Sequence, residues 1–179
     1  QFLTSYEFAE ATLLDTYLDT DHDIVELGGG IGFVSCYVSS KLSPDQKHVV
    51  AEPNPTLVLL IEDTRRRNGC GFELLRAAYS PQSEAVSFRR NEDFLSSSTV
   101  GRTETSTTEQ LEVAGVSLAD LTADVGIDEF VLIADIEGAE YQLLREERQL
   151  LEERCSLAFV EIHEIDGESR SDIIDLFRE

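Results

Sequence analysis

The 179-residue chain is short of positive charge, has neither methionine nor tryptophan, and carries few cysteines. Only Lys41 and Lys47 are lysines, and 14 basic residues face 36 acidic ones, a formal charge of −22. Such a surface repels nucleic acid and anionic membranes, so neither is expected as a partner. No stretch approaches the ~18 consecutive apolar residues of a membrane span. No basic-then-apolar signal peptide opens the chain. The first residue is Gln1, which points to a trimmed start and to targeting information lying elsewhere. Cys36, Cys70 and Cys155 are odd in number and widely spaced, and no C-x-x-C occurs, so neither a disulfide framework nor a zinc knuckle is expected. Free, buried thiols in a reducing compartment follow, and with them a cytoplasmic location. So much like charge strains a folded state at low salt, and molar salt, with a Debye length of ~3 Å, removes most of that strain. The composition therefore suggests a salt-loving source. An acidic protein of ordinary habitat, or a basic segment outside this chain, is the plainer alternative.

What is present is a core and an alternation. Hydrophobic residues make up 41% of the chain, and the length suits one domain spanning 1–179. Residues 4–18 read as a helix within an N-terminal unit of residues 1–20, with Thr4 and Glu7 at capping-box spacing. Strands are expected at 24–27, 48–52 and 72–78, separated by helical stripes through Val34, Val38 and Leu42, and through Leu57, Leu60 and Ile61. Asn54-Pro55 opens the second of these helices and Asn68-Gly69 closes it. Residues 85–88 and 111–116 look like edge strands around a Ser-, Thr- and Glu-rich flexible loop at 91–110. Ser117 caps a short helix. Residues 130–134 form a continuous apolar strand, a helix runs to about Glu153, and a fifth buried strand covers 157–162. A last helix covers 171–178. The fold class is α/β, Rossmann-like: a mostly parallel central sheet with helices on both faces.

Glu26-Leu27-Gly28-Gly29-Gly30-Ile31-Gly32 sits between a strand and a helix, as a cofactor loop must. Glu52 ends the second strand about 20 residues after Gly32, where a carboxylate can accept hydrogen bonds from ribose hydroxyls. Ala78 ends the third. The dinucleotide pattern G-x-G-x-x-G fails from Gly28, because Phe33 stands at its last glycine, and from Gly29, because Ile31 stands at its second. The spacing E-x-G-x-G-x-G fits at Glu26, Gly28, Gly30 and Gly32. That is the S-adenosylmethionine pattern, with Glu26 suited to the cofactor's ammonium group. Candidate cofactor residues are therefore Glu26, Gly28, Gly29, Gly30, Gly32, Glu52, Ala78 and Asp135.

With Ala51-Glu52-Pro53-Asn54-Pro55, with Leu132-Ile133-Ala134-Asp135-Ile136-Glu137-Gly138-Ala139-Glu140, and with Phe159-Val160-Glu161-Ile162-His163, the chain resembles the FkbM-type S-adenosylmethionine-dependent methyltransferases over residues 23–164. The family usually carries Lys where Ala134 stands. The resemblance implies a class I methyltransferase sheet and methyl transfer, commonly to a hydroxyl on a sugar, glycan or natural product. It also implies a C-terminal hairpin after the last helix, which in a chain ending at Glu179 is expected to be absent, disordered or trimmed.

Alignment of acceptor oxygen, methyl and sulfur is the protein's main task in such a reaction, with a base near the working pH to take the hydroxyl proton. Two places at the carboxyl edge qualify: Asp135 with Glu137, and His163 with Glu164. Asp135 could hold the ammonium group, face the acceptor, or be a helix-start acid. His163 could be a base or a hydrogen-bonded structural histidine. Glu137 would cap the next helix and Glu140 would serve its first turn structurally. These acids and His163 follow no recognised metal spacing, so no metal site is expected. Arg65-Arg66-Arg67 reads as a solvated helix end. The alternatives to a methyltransferase are a nicotinamide-dependent oxidoreductase, which Phe33 disfavours, and a non-catalytic nucleotide-binding module. The sequence names neither the acceptor nor the oligomeric state.

Overall fold

The structure, a computed structural model, describes residues 8–90, 109–163 and 170–176. In chain order the elements are α1 (Phe8–Tyr17), β1 (Asp23–Leu27), α2 (Phe33–Ser39), β2 (His48–Ala51), α3 (Pro55–Asn68), β3 (Glu73–Leu75), β4 (Ala77–Tyr79) and β5 (Ala85–Arg90). They continue with β6 (Glu109–Val116), α4 (Leu118–Val125), β7 (Phe130–Ala134), α5 (Glu140–Glu146), α6 (Arg148–Arg154), β8 (Cys155–Val160) and α7 (Arg170–Leu176). The main sheet is parallel, in the order β3-β2-β1-β7-β8. This is the expected α/β, Rossmann-like architecture.

Alternation along the central strands divides the core. Val25, Leu27, Phe130 and Leu132 face α4 and α5 through Leu118, Leu121 and Leu143. Ile24 and Val131 face the other way, onto Leu14 of α1 and Val38 of α2, while Val50 meets Ile61 of α3. Strands buried on both faces read as apolar runs for this reason. Local chemistry sets the helix ends. The Asn54 side chain accepts from the Thr56 N–H at 3.0 Å, Pro55 has no N–H to satisfy, and Gly69 closes α3 at φ 67°. Ser117 caps α4 by accepting from the Asp120 N–H, and Gly126 ends it at φ 71°.

Several expectations need correction. The expected strand 72–78 is not one strand: β3 pairs with β2, and β4 leaves for a separate three-stranded sheet of order β4-β6-β5. There β6 is central, parallel to β4 and antiparallel to β5, not an edge. In the main sheet β8 is an edge strand and only half-buried, because its outer side has no partner strand among the described residues. The helix after β7 is two helices, α5 and α6, meeting at Glu147. Thr4, Glu7, residues 91–108, Glu164 and the end of the last helix lie outside the described residues.

The cysteines also differ from expectation. Cys36 of α2 and Cys70, just after α3, form a disulfide with Cα atoms 5.3 Å apart, and Cys155 is the free thiol. The packing of α3 back against α2 brings the pair together despite a separation of 34 residues. Closing a loop of that length restricts the unfolded chain by an entropy equivalent to about 4 kcal/mol at most. Reductant, or Cys36→Ser, is expected to lower stability by about 2–4 kcal/mol. A urea midpoint indifferent to reductant would show that the two sulfurs are not joined in solution.

Candidate active site

The carboxyl ends of β1, β2 and β7 converge on the glycine loop. Gly28 (φ 91°), Gly30 (φ 53°) and Gly32 (φ 80°) all take left-handed backbone. A Cβ on Gly28 would lie 1.8 Å from the Asp135 carbonyl oxygen, and one on Gly29 2.8 Å from both Ile61 and Val50. Here the glycines first serve the protein's own packing. Gly28 and Gly30 line two hollows that meet at this point, Gly29 lines one of them, and Gly32, seated against Ile61 at the start of α2, lines neither.

The first hollow is a cleft between the loop, Glu52-Pro53, Leu57, the strand Ala77-Ala78-Tyr79 and Phe88. It encloses only about 60 Å³ and is otherwise open to solvent, so a nucleoside there keeps an exposed edge. Glu52 is 4% exposed, and its carboxylate accepts from the Asn54 N–H at 2.7 Å and the Gly30 N–H at 3.1 Å. Burial pushes Glu52 up to about 7, against those N–H donors, which favour its charged form. Two oxygens offer about four acceptor positions, which leaves room for hydroxyl donors. The Tyr79 ring lines the same cleft, and its buried hydroxyl has no hydrogen-bond partner among the described residues. A spare buried acceptor beside apolar walls fits an adenosine-type group; the Tyr79 hydroxyl feels the charges of Glu147 and Glu146 instead. Ala78 lies in this cleft, as the sequence suggested; Tyr79 and Phe88 were missed, since neither carries a motif.

Glu26 lines the second hollow, but its carboxylate is engaged from behind. It is 1% exposed, accepting from the Ser35 hydroxyl at 2.7 Å through one oxygen and paired with the His48 ring at 3.0 Å through the other. One contact on each oxygen makes Glu26 part of a buried polar network that braces β1 against α2 and β2, a duty the sequence did not foresee.

Asp135 ends β7 and lines both hollows. The turn after it is pinned by Glu140, which is fully buried and accepts from the Ile136 and Gly138 N–H groups. The pin holds Glu137 at φ 51° and Gly138 at φ 107°. Glu140 also accepts from His163 Nδ1 at 2.9 Å, so its structural duty extends to the next strand. The other ring nitrogen of His163 lies 3.8 Å from Asp135, 3.7 Å from Glu137 and 3.8 Å from Glu161. The hydrogen bond to Glu140, with the neighbouring negative charges, lifts His163 to about 9. It is a cation near neutrality, bonded to Glu140 as in the hydrogen-bonded reading of the two that the sequence left open. Burial, then the charge of Glu161, raises Asp135 to about 7, although 48% of its side chain remains exposed and His163 opposes the shift. Asp135, Glu140 and His163 each offer a ligand atom within 4.8 Å of the others. The Glu140 oxygen already accepts three hydrogens, so the trio reads as a hydrogen-bonded clamp.

These shifts have one sign for stability. Glu52 and Asp135 bind protons at about 7 when folded, against ordinary values of 4.5 and 3.8, so folding is favoured as pH falls below 8. His163, raised from 6.5 to about 9, adds stability that is complete below 6.5 and lost as pH climbs through 9. The melting temperature of the ligand-free protein is expected to rise by several degrees from pH 9.5 to pH ~5.5. A flat or falling curve over that range would contradict the assigned environments.

The second hollow, a groove of about 570 Å³, runs from Asp135 along β7 and β8 beneath α1. Its lining includes Leu13 and Tyr17 of α1 and Glu161 at the end of β8. Glu161 sits at the same sheet edge as Asp135, and the edge rule would have marked it had β8 been ended at Val160. The arginine run is a solvated helix end: Arg66 and Arg67 both pair with Asp63, and Arg65 bonds the Phe72 carbonyl. Among the described residues, no helix is long and apolar enough to cross a membrane.

A model of the FkbM methyltransferase domain matches residues 26–179. No curated protein matches the chain.

Proposed function

Since the chain belongs to the FkbM methyltransferase domain family, it is a methyltransferase, and we propose that it moves the methyl group of S-adenosylmethionine onto a hydroxyl of a small molecule or glycan. The observation that carries this reading is the position of Asp135. A carboxyl raised to about 7 stands where the nucleoside cleft and the large groove meet.

When bound, S-adenosylmethionine supplies a methyl group already activated on a sulfonium. Glu52 would grip the ribose hydroxyls, Ala78, Tyr79 and Phe88 would flank the base, and the backbone of Gly28 and Gly30 would border the methionine part. Asp135, ionised above about 7, would take the acceptor's proton as the oxygen attacks. Phe33 disfavours the nicotinamide alternative. His163 would hold positive charge beside Asp135 and keep that carboxyl from rising further. Acceptor and donor would be aligned by walls fixed on β1, β7 and the Glu140-pinned turn. A cytoplasmic setting follows from the donor, which is made there, and requires the Cys36–Cys70 bond to survive a reducing pool.

Calorimetry against S-adenosylmethionine, S-adenosylhomocysteine and NAD tests the donor, and mass spectrometry of a metabolite extract gaining one methylene tests the transfer. Tighter binding of NAD than of S-adenosylhomocysteine would overturn the reading. Glu52→Gln is expected to weaken S-adenosylhomocysteine about 30-fold, from the loss of a charge-assisted acceptor. In the parent protein affinity should fall up to about tenfold per pH unit below 7, because Glu52 must shed a proton to grip. Equal affinities at pH 6 and pH 8 would remove Glu52 from the ribose site.

A further inference from the structure

We propose that the methyl acceptor is an alcohol with an apolar body and a protonated amine, seated in the groove beneath α1; the inference rests on the methyl-transfer reading. The groove's size, about 570 Å³, lies in the range of ligand sites. Its walls are apolar: Leu13 and Tyr17 from α1, Val34 from α2, Ile133 from β7, and Leu157 and Phe159 from β8. Leu13 and Tyr17 are 50% and 63% exposed, a large apolar surface left uncovered at the mouth.

Charge decides the rest. Glu10 on α1, Glu26 on β1, Asp135 just after β7 and Glu161 just after β8 line the groove, and among the described lining residues there is no lysine, arginine or histidine. The nearest cation, His163, stands beside Asp135 and Glu161 but is outnumbered by them together with Glu137 and Glu140. An ammonium group carried into this groove gains attraction from these acids. A phosphate or carboxylate meets like charge with no counterion. The apolar walls take the body, and the hydroxyl reaches Asp135 at the junction with the cleft. An acceptor of this kind is methylated while it carries no phosphoryl group, so any phosphorylating reaction on it must follow this step, and any phosphate-removing one must precede it.

Three probes of equal length separate the possibilities: aminooctanol, octanediol and hydroxyoctanoate, each with its two groups at opposite chain ends. They are titrated by NMR into the whole protein, with and without saturating S-adenosylhomocysteine, at low salt. The amino alcohol is expected to bind about tenfold tighter than the diol, and the hydroxy acid not measurably. The chain's overall charge of −22 attracts any cation, so the control is a matched charge change. Glu161→Arg, at a side chain 51% exposed, should reverse the order, and Glu10→Arg should reduce the preference independently. Asp45→Arg, on the exposed loop before β2 at the other edge of the sheet, should leave it intact. Equal binding of the three probes overturns the proposal, as does a shift by Asp45→Arg as large as that by Glu161→Arg. Failure of S-adenosylhomocysteine to bind defeats the donor reading instead, and the probe order in the ligand-free protein still decides the groove.

Discussion

Gly28→Ala is expected to remove a large part of the fold's stability. Gly28 holds φ 91°, where an L side chain is strained by about 1–3 kcal/mol. The added methyl would also sit 1.8 Å from the carbonyl oxygen of Asp135. Neither side can withdraw. The Gly28 N–H is bonded to the Ala51 carbonyl at 2.9 Å, and the Asp135 N–H to the Leu27 carbonyl at 2.9 Å, so both backbones belong to the parallel ladder. Strain and overlap together should exceed about 4 kcal/mol, a large part of the 5–15 kcal/mol that holds a domain together. Gly69 supplies the comparison: its φ is 67°, but a Cβ there meets nothing within 4 Å. Gly69→Ala should therefore cost only about 1 kcal/mol. Urea midpoints of the two variants measure the difference, and similar losses would mean that the loop is not pressed against β7.

Asp135→Asn is expected to reduce turnover about a hundredfold to ten-thousandfold, the usual contribution of a placed general base. Affinity for S-adenosylhomocysteine should change little, because Glu52, not Asp135, carries the ribose contact in this reading. In the parent protein kcat/KM should rise with pH through about 7, as Asp135 loses its proton. The variant should lose that dependence while keeping the Glu52-linked change in cofactor affinity. His163→Gln should shift the rising limb to higher pH, since the cation opposes the rise of Asp135. An asparagine variant that turns over at the parental rate would remove Asp135 from proton transfer.

Local chemistry made part of this legible. Asn54, Pro55 and Gly69 mark the ends of α3 because each satisfies or tolerates a backbone requirement within a few residues of itself. The run 130–134 matches β7 to the residue, because a strand buried on both faces admits only apolar side chains. The break at Arg76 was invisible, since β3 and β4 are both short and extended, and what separates them is which sheet each joins. The Cys36–Cys70 pairing depends on α3 returning to α2, a tertiary fact that spacing does not encode. At the site, Glu52 and Asp135 stand at strand ends and could be marked by position alone. The fate of Glu26 turns on Ser35 and His48, and that of His163 on Glu140, contacts made only when separate elements meet. The groove needed α1 to be laid across β7 and β8 before its acids and apolar walls could be seen as one surface.

Both lysines are spent on the fold. Lys41 bonds Asp15 and lies 4.7 Å over the Tyr37 ring, tying α1 to α2. Lys47 donates to the last carbonyls of α4 at Val125 and Gly126. Coupling chemistries that acylate side-chain amines, whether for biotin tags, sensor chips or crosslinking mass spectrometry, would therefore unhook these two tethers in the act of labelling. Carbodiimide coupling through surface acids spares the Lys47 tether, whose acceptors are main-chain carbonyls, but not the exposed Asp15 carboxylate that holds Lys41.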